Sequence, residues 1–296
     1  MALQSLHNYR TRTQVASGGR IIGGNGFLMP KGAIYQHPAK IIDMRGEAGK
    51  AKEEDKMGVI KAALGDAVLT SLWVFSAPSM GVFTVIIASF LGIQARSLLG
   101  LFITTIVATI LVLAFSLIGK VLGGASFNPS TTASFYAAGL TPGTSLVSMA
   151  VRFPAQAAGG VGGAKAILQV MPKQYKHMLK GPFLKVDLYT GVIAEGLLTF
   201  VLCFSLLVII LRGPRNPILQ IWLLSIATVG LVVAGGGYTG PSMNPANAFA
   251  WAYVNNWHNT WELFLVYWIG PFIGATLAAS VFKTLLPPPI AKEKKA

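Results

Sequence analysis

A chain of 296 residues, 53% apolar, 11% charged, with 33 Gly and one cysteine, carries less than half the charge of an ordinary soluble domain, where the share is about 25%. That composition excludes a soluble globule, a disordered chain and an internal disulfide framework. The net charge of +14 would suit nucleic acid if it were clustered. From residue 57 onward, however, most Lys and Arg residues fall between or beyond apolar runs, as in loops flanking a lipid bilayer, so the expected partner is a membrane and not nucleic acid. His7, His37, His177 and His258 lie outside the long apolar runs and form no metal-ligand pair, so no metal or other cofactor is expected. No nucleophile and base stand together within the spans, which argues against an enzyme.

Residues 1–56 hold nine Lys/Arg and five Asp/Glu and no apolar run able to cross a bilayer; they read as a disordered extension ahead of a natural start at Met57. A crossing helix needs about 20 residues, and uncharged stretches at 67–95 and 97–119 each supply one span. The next uncharged stretch, 121–151, is broken by Gly123, Gly124 and Pro129. Residues 145–171 form a weaker span, interrupted by Arg152 and Lys165, with Gly159, Gly160, Gly162 and Gly163 offering a surface for close helix packing. Residues 188–211 supply another span, with Glu195 as its single acid.

The 46 residues 216–261 contain no Asp, Glu, Lys or Arg. As one helix they would measure roughly 70 Å, more than twice the ~30 Å of hydrocarbon. Gly235, Gly236, Gly237, Gly240 and Pro241 divide them into a crossing helix at 217–236 and a short re-entrant one, before a last span at 263–282. Non-helical backbone at membrane depth persists only where protein or a water-filled cavity surrounds it, so two breaks imply a lined cavity.

The two breaks share a pattern. Gly124-Ala125-Ser126-Phe127-Asn128-Pro129-Ser130 and Gly240-Pro241-Ser242-Met243-Asn244-Pro245-Ala246 both read G-x-S-apolar-N-P-small, 116 residues apart. Asp66 with Thr70 and Glu195 with Thr199 repeat an acid followed by Thr in the first span of each half. The expected architecture is an all-α membrane protein of two inverted repeats, about 57–171 and 187–286, each with three transmembrane helices and one re-entrant half-helix. Asn-Pro is a helix start, Asn as cap and Pro at the first helical position. Two such starts from opposite faces would meet near the midplane, with about half a positive charge at each end opposing cations. Asn128 and Asn244 would offer amide donors to a passing oxygen. The chemistry expected is a passive pore for water or small neutral solutes.

The paired N-P boxes, the repeated acids and the Lys-rich end resemble the aquaporin, or major intrinsic protein, family. Within it, the run from Met57, Ser130 in the first box, residues 237–249 and the basic tail are similar to the plant small basic intrinsic proteins, type 1. The resemblance covers 57–296, a channel domain at 57–290 with a basic cytosolic tail at 291–296. It implies a central constriction of Asn128, Pro129, Ser130, Asn244, Pro245 and Ala246, with Asp66 and Glu195 as structural acids holding the re-entrant loops. It also implies an outer filter at Ala108, Val232, Pro241 and Asn247. Asn247 stands where most of that family carries Arg, so this filter is nearly uncharged, and Ser130 adds a hydroxyl where the half-helices meet. A homotetramer follows from the same resemblance.

Trp251, Tyr253, Trp257, Trp261, Tyr267 and Trp268 read as an interfacial aromatic belt, Cys203 as a packing residue and His258 as an exposed histidine. The end Lys292-Glu293-Lys294-Lys295-Ala296 resembles a K-x-K-x-x retrieval signal, which implies the endoplasmic reticulum membrane. Cytosolic termini put Arg212, Arg215 and Lys283 on the cytosolic side but Lys173, Lys176, Lys180 and Lys185 on the other. Two alternatives stay open on the residues alone: an ion- or proton-coupled secondary transporter, which also uses inverted repeats and broken helices, and a non-conducting membrane scaffold.

Overall fold

A computed structural model describes residues 58–141 and 144–286; the extension at 1–56 and the tail at 291–296 lie outside the described residues. The chain begins with α1 (58–76) and α2 (Ser79–Phe90), one apolar rod with a turn at 77–78, where Pro78 cannot continue the helix ladder. There follow α3 (Leu98–Val121), the short α4 (Pro129–Ala137), α5 (Leu146–Val170), α6 (Leu188–Leu211), α7 (Pro217–Gly235), the short α8 (Pro245–Val254) and α9 (Trp261–Leu285). The first span therefore starts earlier than the uncharged run at 67–95, because the helix carries Lys61 and Asp66 within it.

Five of these helices, 58–90, α3, α6, α7 and α9, are long and apolar enough to cross a membrane. The sixth, α5, has 25 residues but contains Arg152, Pro154 and Gln156, which lower its apolar character. Helix starts are written in local sequence. Ser97, Ser145, Asp187, Asn216 and Thr260 cap α3, α5, α6, α7 and α9 by accepting backbone N–H groups of the first turn. Each such cap contributes about 1 kcal/mol. Within α9 the residues Leu265–Ile269 open into a π-turn, placed where the ring of Pro271 would clash with the carbonyl four residues before it.

Both repeats close their first and third spans backbone to backbone. A Cβ on Gly159 would lie 2.0 Å from Ala67 O and one on Gly163 2.1 Å from Ser71 O, while a Cβ on Gly274 would lie 2.1 Å from Gly196 O. A Cβ on Gly160 would lie 3.1 Å from Ala250 Cβ, so three of the four glycines in α5 serve close packing; Gly162 has room beside it. Each half-helix packs on the third span of the other repeat, α4 on α9 and α8 on α5, which interlocks the copies. The outer surface is apolar, with Phe90, Leu98, Val121, Val147 and Ile193 all more than two-thirds exposed. Polar Asp66, Thr70, Gln156, Glu195 and Thr199 are sealed inside. That inversion is what a lipid solvent selects.

The aromatic belt holds only in part. Trp261 is 77% exposed, but Trp251 and Tyr267 are buried, Trp251 under Gly181 and Tyr267 in the packing between α6 and α9. His258 is not exposed either. It is half-buried with its ring 4.7 Å from that of Tyr253. Cys203 is fully buried against Ala275 and Ala278, as a packing residue should be.

Candidate functional site

The chain order places α4 and α8 on opposite faces: α3 ends and α5 begins on the face from which α4 enters, and α7 ends on the other, from which α8 enters. Asn128 (φ −141, ψ 111) and Asn244 (φ −145, ψ 100) have nearly the same extended backbone, each followed by Pro at the first helical position. Asn128 Oδ1 accepts from Ser130 N–H at 2.9 Å, and Asn244 Oδ1 accepts from Ala246 N–H at 3.1 Å and Asn247 N–H at 3.3 Å.

The two amides also cross. Asn128 Nδ2 donates to Met243 O at 3.0 Å, and Asn244 Nδ2 donates to Phe127 O at 2.9 Å. Each Asn thus caps its own half-helix and grips the residue preceding its counterpart, a two-fold arrangement. Since an amide nitrogen carries two hydrogens, each keeps one N–H beyond this brace. Both Asn residues retain a trace of accessible surface, 7% for Asn128 and 4% for Asn244, whereas Ser130 and Ala246 have none. Pro129 and Pro245 are buried. The Ser130 hydroxyl is sealed with no hydrogen-bond partner, so it does not face a lumen at the junction.

The acids hold the loops from behind. Asp66 Oδ1 accepts from Ser126 N–H at 2.7 Å. Arg152 forms a bidentate ion pair with the same carboxylate, Nε to Oδ2 at 2.7 Å and Nη2 to Oδ1 at 2.8 Å, and Gln156 Nε2 adds a bond to Oδ2 at 2.7 Å. Glu195 accepts from Thr239 Oγ1 (3.0 Å), Ser242 N–H (2.8 Å) and Met243 N–H (2.9 Å). Met243 has φ +50, a left-handed backbone costing of order 1–3 kcal/mol that persists only where surroundings over-determine it. Its N–H is held by Glu195 and its carbonyl by Asn128. Sequence reading placed the acids against the loops but missed Arg152, Gln156 and the crossed amides. A cation and a Gln inside an otherwise apolar span were the available signal for the first two.

A cavity of about 280 Å³ opens on the α4 side, with Leu69, Phe115, Phe127, Thr131, Arg152 and Ile221 among its lining. Trp73 stacks on Phe127 (centroids 4.3 Å apart), and Phe115 meets both rings edge-on, so the wall next to Asn128 is aromatic. Of the positions expected to form a filter, Pro241 abuts Gly235, and Asn247 Nδ2 donates to Ser242 Oγ at 3.1 Å. Ala108 is buried within α3, and Val232 is 46% exposed on α7. Among the described residues no group of three His, Cys, Asp or Glu could hold a metal ion.

Comparison with known proteins matches this architecture. The major intrinsic protein family profile aligns with residues 53–282. The chain is 55% identical over 240 residues to Aquaporin SIP1-1 of Oryza sativa subsp. japonica, covering 80% of this chain and 98% of that protein, and 48% identical over 239 residues to Aquaporin SIP1-1 of Arabidopsis thaliana, covering 81% and 98%. The fold is similar to the X-ray structure of the aquaglyceroporin from Plasmodium falciparum, with a TM-score of 0.58 at 15% identity over 77% of this chain and 98% of that one. The chain belongs to the major intrinsic protein family, the aquaporins, and is a multi-pass membrane channel protein rather than an enzyme.

Proposed function

We propose that residues 57–290 form a passive channel for water and small neutral solutes, with its narrowest passage where α4 and α8 meet start to start. The observation that carries this reading is the crossed amide pair, Asn128 to Met243 O and Asn244 to Phe127 O. It aligns two half-helix N-termini and leaves one N–H on each Asn for a passing oxygen. Facing positive helix ends in a low-dielectric passage oppose hydronium and metal cations while costing a neutral molecule little. The constriction is Asn128, Pro129, Ser130, Asn244, Pro245 and Ala246, with the two Asn side chains as the contacting groups. Ala108, Val232, Pro241 and Asn247 form a weakly polar outer filter.

The commitment of Asp66 to Arg152, Gln156 and the Ser126 N–H favours a channel over a coupled carrier, because it makes the acid a brace behind the re-entrant loop, whereas a coupled carrier needs ionisable groups along its path. By likeness to its relatives the chain assembles as a homotetramer with one pathway per subunit, and the Lys292–Ala296 end directs it to the endoplasmic reticulum membrane.

Stopped-flow osmotic shrinkage of liposomes containing the full chain tests the reading. Shrinkage should be faster than in empty vesicles, have a low activation energy and not respond to an imposed pH gradient. Rates equal to empty vesicles from folded protein would contradict it.

A further inference from the structure

The connection from α5 to α6 lies beside the segment 236–243 that brings the chain down to Asn244. Phe183 N–H donates to Thr239 O at 2.9 Å and Lys185 N–H donates to Tyr238 O at 2.8 Å. Gly181 is pressed on Trp251, where a Cβ would come within 2.4 Å of the Trp251 Cβ. Thr239 is anchored in turn, its hydroxyl on Glu195 and its carbonyl accepting from Tyr267 Oη at 2.8 Å. The backbone of Lys185 is therefore bolted to the walls of the pathway.

Its side chain is tied as well. Lys185 Nζ donates to Gly236 O at 2.5 Å while the residue stays exposed. Gly236 stands where α7 gives way to the descending segment. A Cβ there would lie 3.3 Å from Val232 O, and the adjoining Gly235 abuts Pro241, its own Cβ position 2.7 Å from Pro241 Cγ. The ammonium is thus held at the end of α7, one turn beyond Val232 and one residue from the Gly235–Pro241 contact, and the four expected filter positions are all uncharged. Asp187, the nearest acid in sequence, uses Oδ1 to cap Thr190 N–H at 3.0 Å.

We propose that Lys185 is a fixed cation at the α8-side mouth and a specificity-determining residue, disfavouring approach of cations relative to neutral and anionic solutes. This inference rests on the pathway described under Proposed function. A charge tethered beside the entrance to a pathway walled by low-dielectric protein concentrates its potential on what enters. Because Lys185 is exposed, its potential is screened beyond about 10 Å at about 0.1 M salt, so it acts on what passes close to it.

The potential at that mouth is readable by chemistry. Tyr238→Cys places a thiol on a side chain that is 48% exposed, while the native Cys203 is fully buried. The full chain in lipid nanodiscs is treated with an anionic methanethiosulfonate (sulfonatoethyl) and a cationic one (trimethylammonioethyl), and the ratio of their rates is measured. Lys185→Met should lower the anion-over-cation ratio about tenfold, equivalent to about 1.4 kcal/mol, and Lys185→Arg should keep it within about twofold. Raising salt from about 10 mM to about 1 M should change the ratio more in the parent than in Lys185→Met or Lys185→Gln, either of which suffices if the other fails to fold, and this difference separates Lys185 from Lys173, Lys176 and Lys180 on the same side. A ratio unmoved by Lys185→Met and Lys185→Gln in folded protein would overturn the proposal, whatever its response to salt. Osmotic permeability on the same preparations keeps the two readings apart. A shifted ratio without water flux retains the mouth charge and removes the channel reading, whereas water flux with an unmoved ratio does the reverse.

Discussion

The two repeats anchor their re-entrant loops with different chemistry. Behind the first, Asp66 is neutralised by Arg152 and further bonded by Gln156 and one loop N–H. Behind the second, Glu195 accepts from two loop N–H groups and the Thr239 hydroxyl. The helix contacts place these solutions in register. Gly159 touches the residue after Asp66 and Gly274 the residue after Glu195, and seven residues before each glycine stand Arg152 and Tyr267. Where one copy brings a guanidinium to its acid, the other brings a phenol whose hydroxyl reaches Thr239 O. Both copies anchor the loop through an acid on the first span, and the groups gathered around that acid differ. The second copy also holds Met243 in a left-handed backbone, while Phe127 in the first is not left-handed.

That comparison breaks most visibly at the cation. Arg152→Met leaves a buried carboxylate unpaired and should cost about 3–5 kcal/mol, seen as loss of folded protein in a mixed-micelle denaturation series. Tyr267→Phe, at the matching place, removes one hydrogen bond and should cost about 0.5–1.5 kcal/mol. Equal losses would show that the two anchors are energetically alike after all. Pairing Arg152→Met with Asp66→Leu should recover much of the first loss, since a buried ion pair is often replaceable by apolar residues together.

The helix pairing, by contrast, should behave the same in both copies. Gly159→Val and Gly274→Val each drive a side chain into a carbonyl only about 2 Å from the Cβ position, and each should cost about 1–3 kcal/mol or more by overpacking. A tolerated substitution in one repeat alone would mean that this spacing is not shared. Ser130→Ala should be nearly neutral or slightly stabilising, because the hydroxyl it removes is buried without a partner; a large loss would reveal a contact of that hydroxyl.

The smallest effect lies at the start of α6. The hydrogen bonds from Thr190 to the Asp187 carboxylate hold its pKa below the ordinary value of 3.8. A depressed folded pKa means that this cap contributes fully above the unfolded value and is lost as pH falls through the lowered one. Asp187→Asn should therefore match the parent near neutral pH and show less acid-side loss in a thermal melt.

Much of this arrangement was legible in sequence because it is local. Asn-Pro starts, capping residues and the uncharged runs are encoded within a few positions, and the repeat made Asp66 and Glu195 recognisable together. What escaped is non-local. Arg152 reads as an interruption of a span until α5 folds against α1 and brings it to Asp66, 86 residues away. The crossed amides join residues 115 and 117 apart. Trp251 and Tyr267 look like interfacial rings because aromatic character alone does not reveal that Gly181 and α6 cover them. Lys185 reads as a loop lysine until its loop is strapped to the segment above Asn244.

The most direct test of the central claim, that the crossed Asn pair forms a two-fold passage for neutral solutes, is osmotic water permeability of Asn128→Asp and Asn244→Asp proteoliposomes at matched amounts of folded protein. Each change keeps the capping oxygen, removes the donor to the opposite loop and puts a carboxylate at the junction. Both should lower permeability about tenfold or more, and to a similar degree. Flux unchanged in either variant, with the protein folded, would contradict the passage described here.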